Sequence, residues 1–196
     1  MGRGESKLKR RERYPRGKEK KADEGNLNPG DNVIAAAGPK KRPILVENDG
    51  KYQLKIAIPE SAKKIDTQSS EYKRALREYN VRAAFNNDGS VQVKNGGLYS
   101  RSKKFKDINA FEKDVNEKID SLTNYYNKVA NNRQEGYIPQ VQVDSIKNIV
   151  RSNPSGQAIG GIQKMISSEI MSYRIQAAAG EDMKRRLKFL IDEHRK

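Results

Sequence analysis

The stretch VRAAFNNDGSVQVKNGGLYSRSKKFKD, residues 81–107, runs directly into INAFEKDVNEKIDSLTNYYNKV, residues 108–129, and this pair decides the fold. Val81, Ala83 and Phe85 alternate, Asn87-Asp88-Gly89 offers a turn, and Val91 and Val93 alternate again. Period-two patterns broken by Asn, Asp and Gly predict strands joined by tight turns. Gly96-Gly97 supplies a second turn, and Leu98 to Phe105 reads as a third strand rich in Arg and Lys. Asp107 then caps a helix on which Ile108, Phe111, Val115, Ile119, Leu122, Tyr126 and Val129 recur at spacings of three and four. That spacing is the signature of an amphipathic helix, about 24 residues and ~36 Å long.

Working outward, residues 44–58 predict a β-hairpin. Ile44-Leu45-Val46 leads to Asp49-Gly50, a two-residue turn whose positions both tolerate φ > 0, and Tyr52, Leu54, Ile56 and Ile58 alternate on the return until Pro59. Residues 70–79 predict a short helix capped by Ser70, with Tyr72, Leu76 and Tyr79 on one face. Beyond the long helix, Asp144 is placed to cap a helix over 145–151 that ends before Pro154. A longer helix from Gln157 carries Ile159, Ile162, Ile166, Ile170 and Tyr173. Gly180 is expected to break it, leaving a last segment striped by Met183, Leu187, Leu190 and Ile191. The expected class is therefore α+β: small antiparallel hairpins, a long amphipathic helix and a C-terminal helical hairpin. Composition divides the chain into residues 1–43 as basic tail and linker, 44–131 as the α+β domain and 132–196 as a helical region.

The whole chain has 196 residues, 40 Lys and Arg against 25 Asp and Glu, and a net charge of +15. Up to Lys21 there are ten basic residues, Arg3, Lys7, Lys9, Arg10, Arg11, Arg13, Arg16, Lys18, Lys20 and Lys21, against Glu5, Glu12 and Glu19. Leu8 and Tyr14 are the only sizeable apolar side chains there. Such a segment buries too little to offset its ordering entropy and predicts a disordered-type tail. A second cluster, Lys40, Lys41 and Arg42, precedes Pro43. Every Lys or Arg set against a phosphate releases condensed counterions, giving salt-dependent and sequence-blind affinity. These thirteen residues are the candidate backbone contacts; the plainer alternative for the tail is a solubility or localisation role, and a membrane or acidic protein is the third.

The strands and helix of 81–129 resemble the three-stranded-sheet DNA-binding domains of the AP2 type, a module related to ones at the N-termini of some phage-type integrases. The resemblance rests on Val81-Arg82-Ala83, Asp88 to Val93, Ser102 to Phe105 and Asp107 to Phe111. It implies that one sheet face packs on the helix while the other enters the major groove. Arg82, Gln92, Lys94, Arg101 and Lys103 would then face DNA, with Arg and Gln suited to reading base edges. The plainer alternative is an α+β core with a solvated basic face.

Other patterns narrow the chemistry. The chain has no cysteine, which excludes disulfides, thiolate zinc sites and a thiol nucleophile. Its one histidine is His194. Gly156, Gly160 and Gly161 do not form a phosphate loop, because Lys164 is misplaced and Met165 follows it. Glu47, Asp49, Gln53 and Lys55 only loosely follow a metal-nuclease pattern and read as a polar hairpin face. Met1 to Ser6 fits the minimal N-myristoylation pattern, but a basic residue directly after the glycine disfavours it. No enzymatic activity and no cofactor are expected. The expected partner is DNA or RNA, and the helix stripes call for oligomerisation or a larger assembly such as a virion or ribosome-like particle. A membrane partner is disfavoured, and the expected location is intracellular or in a virion rather than secreted.

Overall fold

The computed structural model describes residues 26–60, 64–153 and 157–196. In chain order the elements are β1 (Asn32–Ala37), β2 (Arg42–Asn48), β3 (Lys51–Leu54), α1 (Ser70–Arg77), β4 (Arg82–Phe85), β5 (Val91–Lys94), β6 (Lys103–Phe105), α2 (Ile108–Gln134), β7 (Tyr137–Ile138), α3 (Val143–Ser152) and α4 (Gln157–Arg195). A 3-10 turn, Gln140–Gln142, leads into α3. The chain forms two compact units. One takes the described residues up to Glu60 with Asn132–Ser168; the other takes Ser61–Asn131 with Glu169–Lys196. Both units are discontinuous in sequence, unlike the three contiguous stretches that composition suggests.

The first unit is built on an antiparallel sheet of order β1-β2-β3-β7. Asp49 and Gly50 make the β2–β3 turn with φ of 53° and 79°, as expected of two residues that tolerate positive φ. The stretch expected to be linker instead contains β1, which pairs with β2 from Asn32↔Glu47 to Ala37↔Arg42. Its alanines give no hydrophobic alternation, yet Ala35 and Ala37 are buried and α3 lies against the strand. Small side chains suit that close helix–strand approach, and tertiary context overrides alanine's low strand propensity. Ahead of β1, the Asp31 carboxylate accepts the Asn28 N–H at 2.7 Å and the Asn48 amide at 2.8 Å, and pairs with Lys55 at 3.3 Å. These groups hold its carboxyl below the ordinary value, the Asn28 amide most of all. Asn153 follows α3, but no side chain caps the start of that helix, and Asp144 sits in its first turn instead.

The second unit sets an antiparallel sheet of order β4-β5-β6 against helices. Val91, Val93 and Phe105 share a core with Phe111, Val115 and Ile119 of α2 and Ile175, Ala179, Met183, Leu187 and Ile191 of α4. Asp107 caps α2 as its position predicts, its carboxylate accepting the Ala110 N–H at 2.8 Å. Ser69 rather than Ser70 caps α1, accepting the Tyr72 N–H at 3.1 Å.

The expected C-terminal helical hairpin is one continuous helix, α4. Gly180 does not break it, because the residue serves packing instead of termination. A Cβ there would lie 2.2 Å from Thr123 Cγ2 and 2.8 Å from Tyr79 Cε1. Only glycine lets α4 approach α2 and the Tyr79 ring this closely. The two helices run antiparallel: Arg174 reaches Asn131 at 2.9 Å, Lys184 reaches Asp120 at 2.7 Å, and Arg195 reaches Glu112 at 2.7 Å.

Candidate nucleic-acid interface

Directly opposed residues in an antiparallel pair point to the same side of a sheet. The register Phe85↔Val91↔Phe105 and Ala83↔Val93↔Lys103 therefore defines the inner face, since Val91 and Val93 are completely buried. The register Arg82↔Lys94 and Ala84↔Gln92↔Lys104 defines the outer face. Arg82, Lys94 and Lys104 are exposed there, flanking a half-buried Gln92.

Three of the five residues implied by the resemblance, Arg82, Gln92 and Lys94, thus share the outer face. Lys103 does not, and this expectation is corrected. It lies on the Phe105 side, its ammonium 3.6 Å from the Asp114 carboxylate of α2 and 5.0 Å from the Phe105 ring centroid. Parity forces the result: two positions before an inward Phe105, a side chain must also point inward. Lys104 takes the outer position and was missed by sequence reasoning, although recognising Phe105 as a core residue would have found it. Arg101 is exposed in the bend before β6 and outside the paired strand.

The outer residues are partly pre-oriented. The Arg82 guanidinium donates to the Asn95 carbonyl. The Gln92 amide nitrogen donates to the Lys103 carbonyl at 3.3 Å and to the Val93 carbonyl at 3.4 Å. No carboxylate lies within ion-pair distance of Arg82, Lys94, Arg101 or Lys104 among the described residues. The Asp88 carboxyl near the β4–β5 turn is held below its ordinary value, first by the Ser90 hydroxyl and N–H and to a lesser degree by the Lys104 charge.

Lys40 and Lys41 are exposed at the β1–β2 turn, where Lys41 has φ of 50°, and Arg42 begins β2. The cluster is therefore a hairpin tip, not a linker segment. Arg3, Lys7, Lys9, Arg10, Arg11, Arg13, Arg16, Lys18, Lys20 and Lys21 lie outside the described residues, as do Gly2, Pro154 and Gly156.

The remaining candidates have structural partners. Glu47 accepts the Gly50 N–H at 2.9 Å and the Asn32 amide at 3.0 Å, bracing the hairpin, while Lys55 serves Asp31. His194 stacks on Phe85 with ring centroids 3.9 Å apart. A cavity of about 540 Å³ in the first unit is lined by Lys51, Tyr52, Arg133, Glu135, Tyr137 and Gln140, among others. Among the described residues no group of three or more His, Asp or Glu is arranged to hold a metal ion, and no helix is long and apolar enough to cross a membrane. The chain matches no protein-family model, no curated protein and no solved structure.

Proposed function

We propose that this chain is a non-enzymatic nucleic-acid-associated protein, held on the phosphate backbone by its polybasic N-terminal segment. The outer face of the β4-β5-β6 sheet is its second contact. The distribution of charge carries the reading. Residues 1–21 hold a net +7. Residues 61–131 and 169–196, the sequence span of the second unit, hold 21 basic against 14 acidic side chains, another +7. Residues 22–60 and 132–168 hold only +1. Charge concentrated in a tail and in one unit is the electrostatic footprint expected of a polyanion-binding protein.

The test is a salt titration of binding to a DNA duplex and an RNA of equal length. Affinity should fall steeply with salt, with a slope of about −0.9 per phosphate contacted on B-form DNA. Deleting residues 1–21 should flatten that slope. A tail-deleted protein that keeps both its affinity and its salt dependence refutes the tail-centred reading.

A structural role in a large assembly is the second reading, with the tail threading between subunits or packaged nucleic acid. It is favoured by Phe189 and Leu190 of α4, adjacent residues that are 70% and 39% exposed. Light scattering on the purified protein separates the two, since a monomer that binds nucleic acid counts against an assembly module.

A further inference from the structure

Near its C-terminal end α4 buries Met183, Leu187 and Ile191, a stripe at spacings of four. A residue two positions past Leu187 is turned about 200° around the helix. Phe189 therefore stands on the side of α4 opposite the core, and it is 70% exposed. A ring left in water there adds little to the core, whereas a partner that covered it would gain its full apolar area. The six other residues between 182 and 196 that lie within about 60° of Phe189 around the helix are all charged. They are Asp182, Arg185 and Arg186 before it and Asp192, Glu193 and Lys196 after it, the last following the final helical residue. Arg185, Arg186, Glu193 and Lys196 are exposed, and Asp182 and Asp192 are half-buried.

The signs of these charges invert about Phe189. Three positions before it stands Arg186 and three after it Asp192; at four positions the pair is Arg185 and Glu193, and at seven it is Asp182 and Lys196. A two-fold axis through Phe189, perpendicular to the helix, sets each position opposite the one equally far on the other side of Phe189 in an antiparallel copy. All six charges then meet their opposites, and the two Phe189 rings meet at the axis. Within one chain Arg185 pairs with Asp182, and Lys196 pairs with Glu193 at 3.2 Å. Such exposed pairs are weak, so exchanging them for contacts between copies costs little. A parallel pairing would instead set Arg185 against Arg185. A partner of one sign, such as a phosphate backbone or the basic N-terminal segment, would leave three of the six facing like charge. We infer that this side of α4 is a self-association surface, and that its occupant is α4 of a second copy of this chain, antiparallel and centred on Phe189. The inference deepens the assembly reading above and does not depend on nucleic-acid binding.

Sedimentation velocity on the full chain, freed of nucleic acid, measures the association. The wild type should dimerise, and Phe189→Ala should raise the dimer dissociation constant about 30-fold or more, the loss expected of a central aromatic anchor. Arg185→Glu and Glu193→Arg should each raise it about 10-fold or more, since each reversal acts twice across the axis. An equimolar mixture of those two variants should dimerise like the wild type, because the reversed positions then face one another with opposite signs. All three side chains are exposed, so the variants should fold, which circular dichroism checks. A full chain that stays monomeric to its solubility limit overturns the inference and counts against the assembly reading with it. Dimers that Phe189→Ala leaves intact place the interface elsewhere and overturn the inference alone. A mixture that associates no better than either variant by itself overturns the antiparallel second copy as the occupant. Dimers lost on deleting residues 1–21 assign the contact to the tail and also overturn the inference.

Discussion

Replacing Gly180 by alanine adds one methyl group to the middle of α4, and two opposing effects follow. Helix propensity favours the change by about 1 kcal/mol, because glycine gives up the most backbone freedom on entering a helix. Packing opposes it, since the new Cβ would stand 2.2 Å from Thr123 Cγ2 and 2.8 Å from Tyr79 Cε1. Neither neighbour yields easily. Thr123 is 2% exposed and its hydroxyl donates to the Asp120 carbonyl at 3.2 Å; Tyr79 is fully buried and its hydroxyl donates to the Gln176 carbonyl at 2.9 Å. Overpacking a tight core costs about 1–3 kcal/mol, and contacts this short belong at the upper end. The expected net loss is about 2 kcal/mol, or about 4–8 °C in melting temperature for a chain of this size. The same helix contains its own controls. A Cβ at Gly160 or Gly161 meets nothing within 4 Å, so alanine there should stabilise by up to about 1 kcal/mol. Urea denaturation followed by circular dichroism measures all three. Adding Thr123→Ser removes the obstructing methyl and should recover part of the Gly180→Ala loss. If Gly180→Ala stabilises as Gly160→Ala does, the close approach of α4 to α2 is wrong.

The Asp31 carboxyl has a depressed pKa, so its contribution is complete above the unfolded value of about 3.9 and is lost as pH falls through the folded value. Asp31→Asn should therefore lower the melting temperature at neutral pH and make its decline from about pH 5 to pH 2 shallower than in the wild type. An unchanged decline would exclude Asp31 as a contributor. Lys104→Ala should reduce the salt slope of binding by about 0.9, whereas Lys103→Ala should leave it unchanged and cost at most about 1 kcal/mol of stability from its solvent-screened pairing with Asp114. The opposite pattern in the titrations would reverse the two sheet faces. Ser69→Ala should cost about 1 kcal/mol by removing the acceptor for the Tyr72 N–H, while Ser70→Ala should be close to neutral in the same denaturation assay.

Features decided by neighbouring residues were legible in the sequence. Asp49-Gly50 turns because both positions accept positive φ, and Asp107 starts α2 because its carboxylate reaches an amide three residues on. Features decided by distant residues were not. The alanines of β1 read as linker because their burial depends on α3, more than a hundred residues later. Gly180 read as a breaker because its reason for being glycine lies on Thr123 and Tyr79. The outer sheet face was legible in part: Arg82, Gln92 and Lys94 follow from alternation within two strands, while the choice between Lys103 and Lys104 requires knowing that Phe105 points inward.

The interleaving of the two units has a consequence for biosynthesis. Domains ordinarily fold one after another as the chain emerges, but here both cores wait for sequence made late. Strand β3 needs β7, and the core around Phe111 and Tyr79 needs Ile175 to Ile191. The Tyr72 hydroxyl bonds to Asp182, 110 residues further along. At a synthesis rate of about 5–20 residues per second, that partner arrives some 5–20 s later. Until then the surfaces of the β4-β5-β6 sheet and α2 that α4 covers stand bare, which makes the nascent chain a candidate client for whatever shields exposed surface during translation.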